Sequence, residues 1–225
     1  MNICFATEHS LNAVWQEKLQ EVSDSDLLVF GFNGLGLVSY KKELSGETEY
    51  FHDLAKLSKQ LSAVVISGCD TDTYGVFRHS AVIADNGKLL GVTDMVHSVD
   101  DSEFVAGGNY RVYDTSIGKI GIIVGEDLYF TESATVLALC DADLIVCLVK
   151  KQETLMPQIM IRALSYANGV PMCLCAGGYS VLSDIRGNIS IAGAKEFIKT
   201  KVKTEREYHD VFVRKRGLTR DTNPV

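Results

Sequence analysis

Short apolar runs alternate with amphipathic segments along the first third of the chain. Three continuous apolar runs have the length of buried strands, at residues 2–7, Leu27–Phe30 and residues 63–68. Between them, apolar residues recur at helical spacing, which predicts helices over residues 10–22 and Tyr50–Leu61. The order β-α-β-α-β is typical of a layered α/β domain.

The rest of the chain combines paired strands with two further helices. Turn signals such as Asp85-Asn86-Gly87 separate alternating segments and predict hairpins over residues 76–92, 110–124 and 180–191. Helical and strand patterns also alternate over residues 131–140, 143–149, 153–168 and 171–176, and residues 199–213 have the pattern of edge strands. We therefore expect two sheets packed face to face with helices outside, in one domain covering residues 1–225.

Composition and charge narrow the class of protein. Hydrophobic residues make up 46% and charged residues 23%, which supports a substantial core and excludes disorder. The net charge of −7 argues against general attraction to nucleic acid or to an acidic membrane. We see no export signal and no run long enough to span a membrane, so we expect a cytoplasmic protein with reduced cysteines. The six cysteines have no zinc-ligand spacing, and we expect neither a metal nor a cofactor.

The charges are unevenly distributed along the chain. Acidic residues dominate before Lys150, and basic residues dominate from there to the end. The two halves could lie against each other in one domain, or the basic end could meet an acidic surface of a second copy. The alternating Lys199, Lys201 and Lys203 could form a solvated sheet edge or, alternatively, a nucleic-acid contact.

One long motif carries a family resemblance. Residues 114–130, with the sequence DTSIGKIGIIVGEDLYF, resemble the nucleophile segment of the nitrilase, or carbon–nitrogen hydrolase, superfamily. Other segments resemble further parts of that family in the same order, namely residues 27–30, 80–91, 162–170 and 219–224. The resemblance implies a four-layer α-β-β-α sandwich, hydrolysis of non-peptide C–N bonds, and a homodimer.

The three catalytic positions of this family are vacant here. In the family, a cysteine attacks the substrate carbon, a glutamate moves the proton, and a lysine stabilises the oxyanion. The cysteine position falls on Gly125, and the lysine position, two residues before His97, falls on Met95. The glutamate position falls on or next to Phe32. The replacements are all neutral, which removes the free-energy cost of burying an unpaired charge.

Three residues near the vacated nucleophile position could carry different chemistry. Glu126 could bind a cation or amine or act as a base, or it could be a solvated acid. Asp127 matches a family position that is usually structural. Cys69 could approach the site as a relocated nucleophile, although Asp70 should raise rather than lower its pKa.

Three more residues are candidates for the pocket. His97 matches a family position that supports structure, and an acid–base role is the alternative. His79 lies on a predicted hairpin, and Glu8 follows the first strand. The direct link Gly177-Gly178-Tyr179 replaces a longer segment that lines the substrate pocket in relatives, which predicts a more open or collapsed pocket.

Three hypotheses for the function follow. The first is a non-catalytic homologue that binds a small amide, amine or carboxylate metabolite, or a protein partner. The second is an active amidohydrolase with relocated residues, Cys69 or Glu126 being the candidates. The third is a purely structural dimer.

Overall fold

The computed structural model describes residues 1–98, 103–151 and 154–204. The strands of this part of the chain are β1 (Asn2–Ala6), β2 (Leu27–Phe30), β3 (Gly36–Ser39), β4 (Val64–Thr73), β5 (Val76–Asp85), β6 (Lys88–Asp94), β7 (Arg111–Thr115), β8 (Gly118–Val124), β9 (Leu144–Lys151), β10 (Met172–Gly177), β11 (Tyr179–Ser183), β12 (Ile189–Gly193) and β13 (Phe197–Lys201). The helices are α1 (Leu11–Glu17), α2 (Leu19–Val22), α3 (Tyr40–Ser45), α4 (Tyr50–Leu61), α5 (Thr131–Leu139) and α6 (Met156–Asn168), and a 3-10 helix covers Gly125–Tyr129.

The strands form two sheets. The first has the order β13-β1-β2-β4-β5-β6, with β3 pairing beside the second half of β4. The second has the order β12-β11-β10-β9-β8-β7. In each sheet the three central strands are parallel, β1 with β2 and β4, and β8 with β9 and β10. The carboxyl ends of parallel strands meet at one edge of a sheet, and such edges commonly carry the functional site of an α/β protein.

The sheets pack face to face, and helices cover their outer faces. Strand β1 illustrates the pattern, because Ile3 and Phe5 join the core between the sheets while Cys4 and Ala6 join the core under helices α1 and α4. A third core lies between the second sheet and helices α5 and α6. Central strands are thus buried on both faces, which explains their continuous apolar sequences. The predicted α-β-β-α sandwich is confirmed.

Several predicted elements differ in detail from the observed ones. The helix predicted over residues 10–22 is interrupted at Lys18, whose ammonium lies 3.2 Å from the Glu196 carboxylate. Strand β3 and helix α3 were not predicted. The helix predicted over residues 153–168 begins at Met156 among the described residues. The end of the predicted edge strands and the arm at residues 219–224 lie outside the described residues.

The link between β10 and β11 is as short as predicted. Strand β10 ends at Gly177, β11 begins at Tyr179, and Gly178 between them has a φ of +74°. A side chain at Gly178 would meet Glu8, because an added Cβ would lie 2.8 Å from its Oε1. Glycine at this position therefore permits both the turn and the close approach of the segment after β1.

Candidate functional site

Met95 fills the space beside Gly125, the residue that the resemblance places at the nucleophile position. Gly125 follows β8 with a φ of +58°, in the left-handed region that L side chains rarely adopt. A Cβ added at Gly125 would lie 2.7 Å from Sδ of Met95, closer than real Cβ contacts allow. Met95 itself is 3% exposed and belongs to the core between the sheets. The thioether therefore occupies the space into which a side chain at residue 125 would project.

Phe32, which the resemblance places on or next to the glutamate position, carries a buried phenyl ring. Phe32 is 7% exposed, and its ring packs on the backbone of β4, where a Cβ added at Gly68 would lie 3.0 Å from Cδ2 of Phe32. Phe32 and Met95 belong to the same inner core. Phe32, Met95 and Gly125 carry no nucleophilic, acidic or basic side chain.

Asp127 anchors the segment that follows Met95. Its buried carboxylate accepts hydrogen bonds from the backbone N–H groups of Val96 at 2.7 Å and His97 at 2.8 Å, and from Nδ1 of His97 at 2.9 Å. Burial raises the pKa of Asp127, and these hydrogen bonds offset only part of that effect. The His97 ring stacks on Phe130 with centroids 3.8 Å apart. Asp127 and His97 thus hold in place the backbone segment after Met95, beside Gly125.

Two of the acidic residues proposed as site candidates lie near the surface. Glu126 is half-buried and makes no hydrogen bond or ion pair with another described residue. Glu8 is exposed and lies against Gly178. Of the two, only Glu126 combines partial burial with a position directly after Gly125.

The side chain of Cys69 does not point toward Phe32 and Met95. Strand β4 continues beyond it to Thr73, and Cys69 belongs to the core beneath the helices, on the opposite face from Ile66 and the Phe32 ring. Its side chain is fully buried. Burial, and then the nearby Asp70 carboxylate, raise the pKa of the Cys69 thiol well above its usual value. A buried, protonated thiol on the outer face is unsuited to nucleophilic attack at this site.

A charged cluster joins the two sheets at the site. His79 on β5 lies opposite Asp70 on β4, with Nδ1 of His79 2.6 Å from Oδ1 of Asp70. Lys150, near the end of β9 in the other sheet, donates to Oδ2 of Asp70 at 2.7 Å. Burial alone would raise the pKa of Asp70, but the hydrogen bonds from His79 and Lys150 outweigh burial and lower it.

Aromatic rings surround this cluster. The Phe104 ring stacks on His79 with centroids 3.8 Å apart, and the Phe32 ring meets His79 edge-on at 5.8 Å. The Lys150 ammonium lies 4.8 Å from the Phe104 centroid and 5.8 Å from the Phe32 centroid. The structure thus brings His79 and Phe32 together with Asp70, Phe104 and Lys150.

Lys150 and Phe104 were missed as site residues in the sequence. Lys150 could have been found, because it directly follows the strand predicted over residues 143–149, just as Asp70 comes soon after the strand predicted over residues 63–68. Phe104 lies on an irregular segment paired with β5, where Val105 N–H donates to the Phe77 carbonyl at 2.8 Å. No periodic pattern marks such a residue.

Comparison with known proteins identifies the family. The carbon-nitrogen hydrolase family model matches residues 13–205, and the chain belongs to this family. A probable nitrilase of Schizosaccharomyces pombe is 24% identical over 155 residues, which are 65% of this chain. The chain spans 57% of the length of that relative.

Solved structures of the nitrilase superfamily share the fold. The chain is similar to Saccharomyces cerevisiae Nit3, a member of branch 10 of that superfamily, with a TM-score of 0.72, 19% identity and 89% of each chain covered. It is also similar to a carbon-nitrogen hydrolase from Helicobacter pylori G27, with a TM-score of 0.71, 17% identity and 88% of each chain covered. At these identities the likeness shows the fold alone.

No helix among residues 1–98, 103–151 and 154–204 is long and apolar enough to cross a membrane. Within the same ranges, no group of three His, Cys, Asp or Glu side chains is placed to hold a metal ion.

Proposed function

We propose that this carbon–nitrogen hydrolase family member is non-catalytic and acts through binding. The observation that carries the proposal is the contact at the nucleophile position, where Sδ of Met95 occupies the space of a side chain at Gly125. A nucleophilic side chain at residue 125 would need Met95 to be displaced.

The other family positions support the same reading. A hydrolytic triad needs a nucleophile, a proton carrier and an oxyanion stabiliser acting together, and residues in such a unit lose almost all of their effect when one is removed. Here Phe32 and Met95 are buried in the inner core. The relocated nucleophile considered for the alternative, Cys69, faces the helices instead.

An activity assay tests the proposal. The purified chain is incubated with ω-amides, nitriles and carbamoyl compounds, and ammonia release is compared with that from an active amidase of the superfamily. We expect no release above the buffer rate. Because a contaminating amidase could give a signal, Glu126→Gln and Cys69→Ala variants prepared in parallel are the controls. Turnover that disappears in either variant would establish the alternative of an enzyme with relocated residues.

A second part of the proposal is that the chain forms a homodimer through helices α5 and α6. Large apolar side chains are concentrated on and beside these helices and are at least one third exposed: Tyr129, Val136, Leu139, Leu155, Met156, Ile159 and Tyr166. An exposed apolar patch of this kind suits a two-fold dimer of identical subunits, in which the same patch on each copy is covered by the other.

We further propose a cytoplasmic location. All six cysteines are free thiols. Five of them are buried, where a disulfide bond would be protected from solvent, and yet they are unpaired. Unpaired cysteines are typical of a reducing compartment. Imaging of a fluorescent fusion tests the location.

A further inference from the structure

The Lys150 ammonium is held by a set of groups that recognise an amine. It donates to Oδ2 of Asp70 at 2.7 Å and lies 4.8 Å from the centroid of Phe104 and 5.8 Å from that of Phe32. A carboxylate combined with aromatic faces within about 6 Å is the usual protein environment for an organic cation. We call Asp70, His79, Phe32 and Phe104 the cage.

The cage is more buried than the cation inside it. The side chain of Lys150 is 45% exposed, whereas that of Asp70 is 22% and that of His79 is 18% exposed. Lysine is a flexible, strongly hydrated side chain that loses considerable rotamer freedom when it is fixed. Lys150 can therefore leave toward solvent without disturbing the core, while the cage residues stay in place.

The cage residues hold one another independently of Lys150. His79 is hydrogen-bonded to Asp70 at 2.6 Å and stacked on Phe104 at 3.8 Å. Phe104 is fixed through the bridge to Phe77, and the Phe32 ring packs on the backbone at Gly68. A binding site that is already ordered without its occupant loses little entropy when a ligand enters.

We propose that the cage is a binding site for a primary alkylammonium group, and that Lys150 is its built-in occupant, which an external amine replaces. The inference names a ligand class for the proposed binding role. It does not depend on the absence of catalysis, so amine binding and hydrolysis are tested by separate measurements. A tethered competitor has an effective concentration in the millimolar range, so a simple amine should bind the unaltered chain weakly.

Removal of the built-in occupant provides the test. Lys150→Ala deletes Cγ, Cδ, Cε and Nζ, which n-propylammonium replaces atom for atom. We expect n-propylammonium to raise the melting temperature of Lys150→Ala by about 3 °C or more when it is in roughly tenfold excess over its dissociation constant. The unaltered chain should shift much less, because Lys150 already fills the cage.

Matched controls separate recognition from general effects. Lys151→Ala removes the neighbouring exposed lysine and should respond to n-propylammonium as the unaltered chain does. Sodium chloride at equal ionic strength and 1-propanol, the neutral analogue, should not reproduce the shift in Lys150→Ala. The double variant Asp70→Asn/Lys150→Ala should lose it, because the carboxylate is the charged partner.

The opposite results overturn the proposal. Equal shifts in Lys150→Ala, Lys151→Ala and the unaltered chain would mean that Lys150 is only a link between the two sheets. A shift that persists after Asp70→Asn would place the amine elsewhere. If Lys150→Ala does not fold in plain buffer, the refolding yield with n-propylammonium against 1-propanol is compared instead, and equal yields contradict the proposal.

Discussion

The sulfur of Met95 lies 2.7 Å from the point at which a side chain on Gly125 would place its Cβ. The two residues are 30 positions apart in the sequence, and their side chains are complementary in size. Glycine leaves the space and tolerates the φ of +58°, and the methionine fills the space. The glycine and the methionine are therefore sterically linked.

This relationship predicts strong energetic coupling between the two positions. Gly125→Ala should lower the free energy of unfolding by about 1–3 kcal/mol, because the new Cβ meets Met95 and the backbone is left-handed. Met95→Ala removes the clash, so the double variant should be more stable than the sum of the single changes predicts, by about 0.5–3 kcal/mol. Urea unfolding of the unaltered chain, the two single variants and the double variant measures this coupling free energy.

Gly108→Ala is the control for this cycle. An added Cβ at Gly108 meets no heavy atom within 4 Å, so the substitution should change stability little. Additive effects of Gly125→Ala and Met95→Ala would contradict the proposed contact.

The reactivity of the cysteines tests whether a nucleophilic thiol survives. Only Cys140 of the six is exposed, while Cys69 is fully buried and its pKa is raised by burial and by Asp70. We expect iodoacetamide to modify about one thiol in the native protein, and mass spectrometry to locate the label on Cys140. Cys140→Ser should remove this reaction. Rapid labelling of Cys69 in the folded chain would support the relocated-nucleophile hypothesis instead.

The direction in which Cys69 points could not be predicted from the sequence, because its strand is buried on both faces. Its strand begins with three apolar residues in a row, Val64, Val65 and Ile66, because β4 is covered on both faces there. Such a strand carries no alternation, so its pattern predicts the strand but not which residues face the site. Strand β1 has the same ambiguity.

Elements with short or polar patterns were equally hard to predict. Strand β3 and helix α3 lie along the second half of β4, and only Val38 among their residues is fully buried. Lys18, where the first predicted helix is interrupted, pairs with Glu196, which is distant in the sequence. The hairpins, by contrast, are marked by local turn residues such as Asn86 and Gly87, and the structure confirms them.

The charge on Asp70 predicts a pH-dependent contribution to stability. Its pKa is lower in the folded chain than the ordinary value of 3.8, so the folded state binds fewer protons than the unfolded state. The contribution is therefore fully present above pH 3.8 and is lost as the pH falls through the folded pKa. Asp70→Asn should lower the free energy of unfolding by about 1 kcal/mol at pH 7, since the partly exposed pair is screened by solvent.

Denaturant unfolding at a series of pH values measures this effect. The difference between the unaltered chain and Asp70→Asn should shrink as the pH falls below 4. Asp114→Asn is the control, because that carboxylate is exposed and makes no hydrogen bond with another described residue. A difference that stays constant down to pH 2 would show that the Asp70 charge does not stabilise the cluster with His79 and Lys150.

The exposed apolar residues of α5 and α6 predict the site of self-association. Leu139 is 62% and Ile159 is 51% exposed, and a charge at either position would have to be buried if two copies pair through this face. We expect Leu139→Glu and Ile159→Glu to convert a dimer to a monomer at micromolar concentration in sedimentation velocity. Leu44→Glu changes an even more exposed leucine on α3, at 77%, and should leave the dimer intact. If the unaltered chain sediments as a monomer, or if Leu44→Glu dissociates it as readily, the α5–α6 face is not the interface.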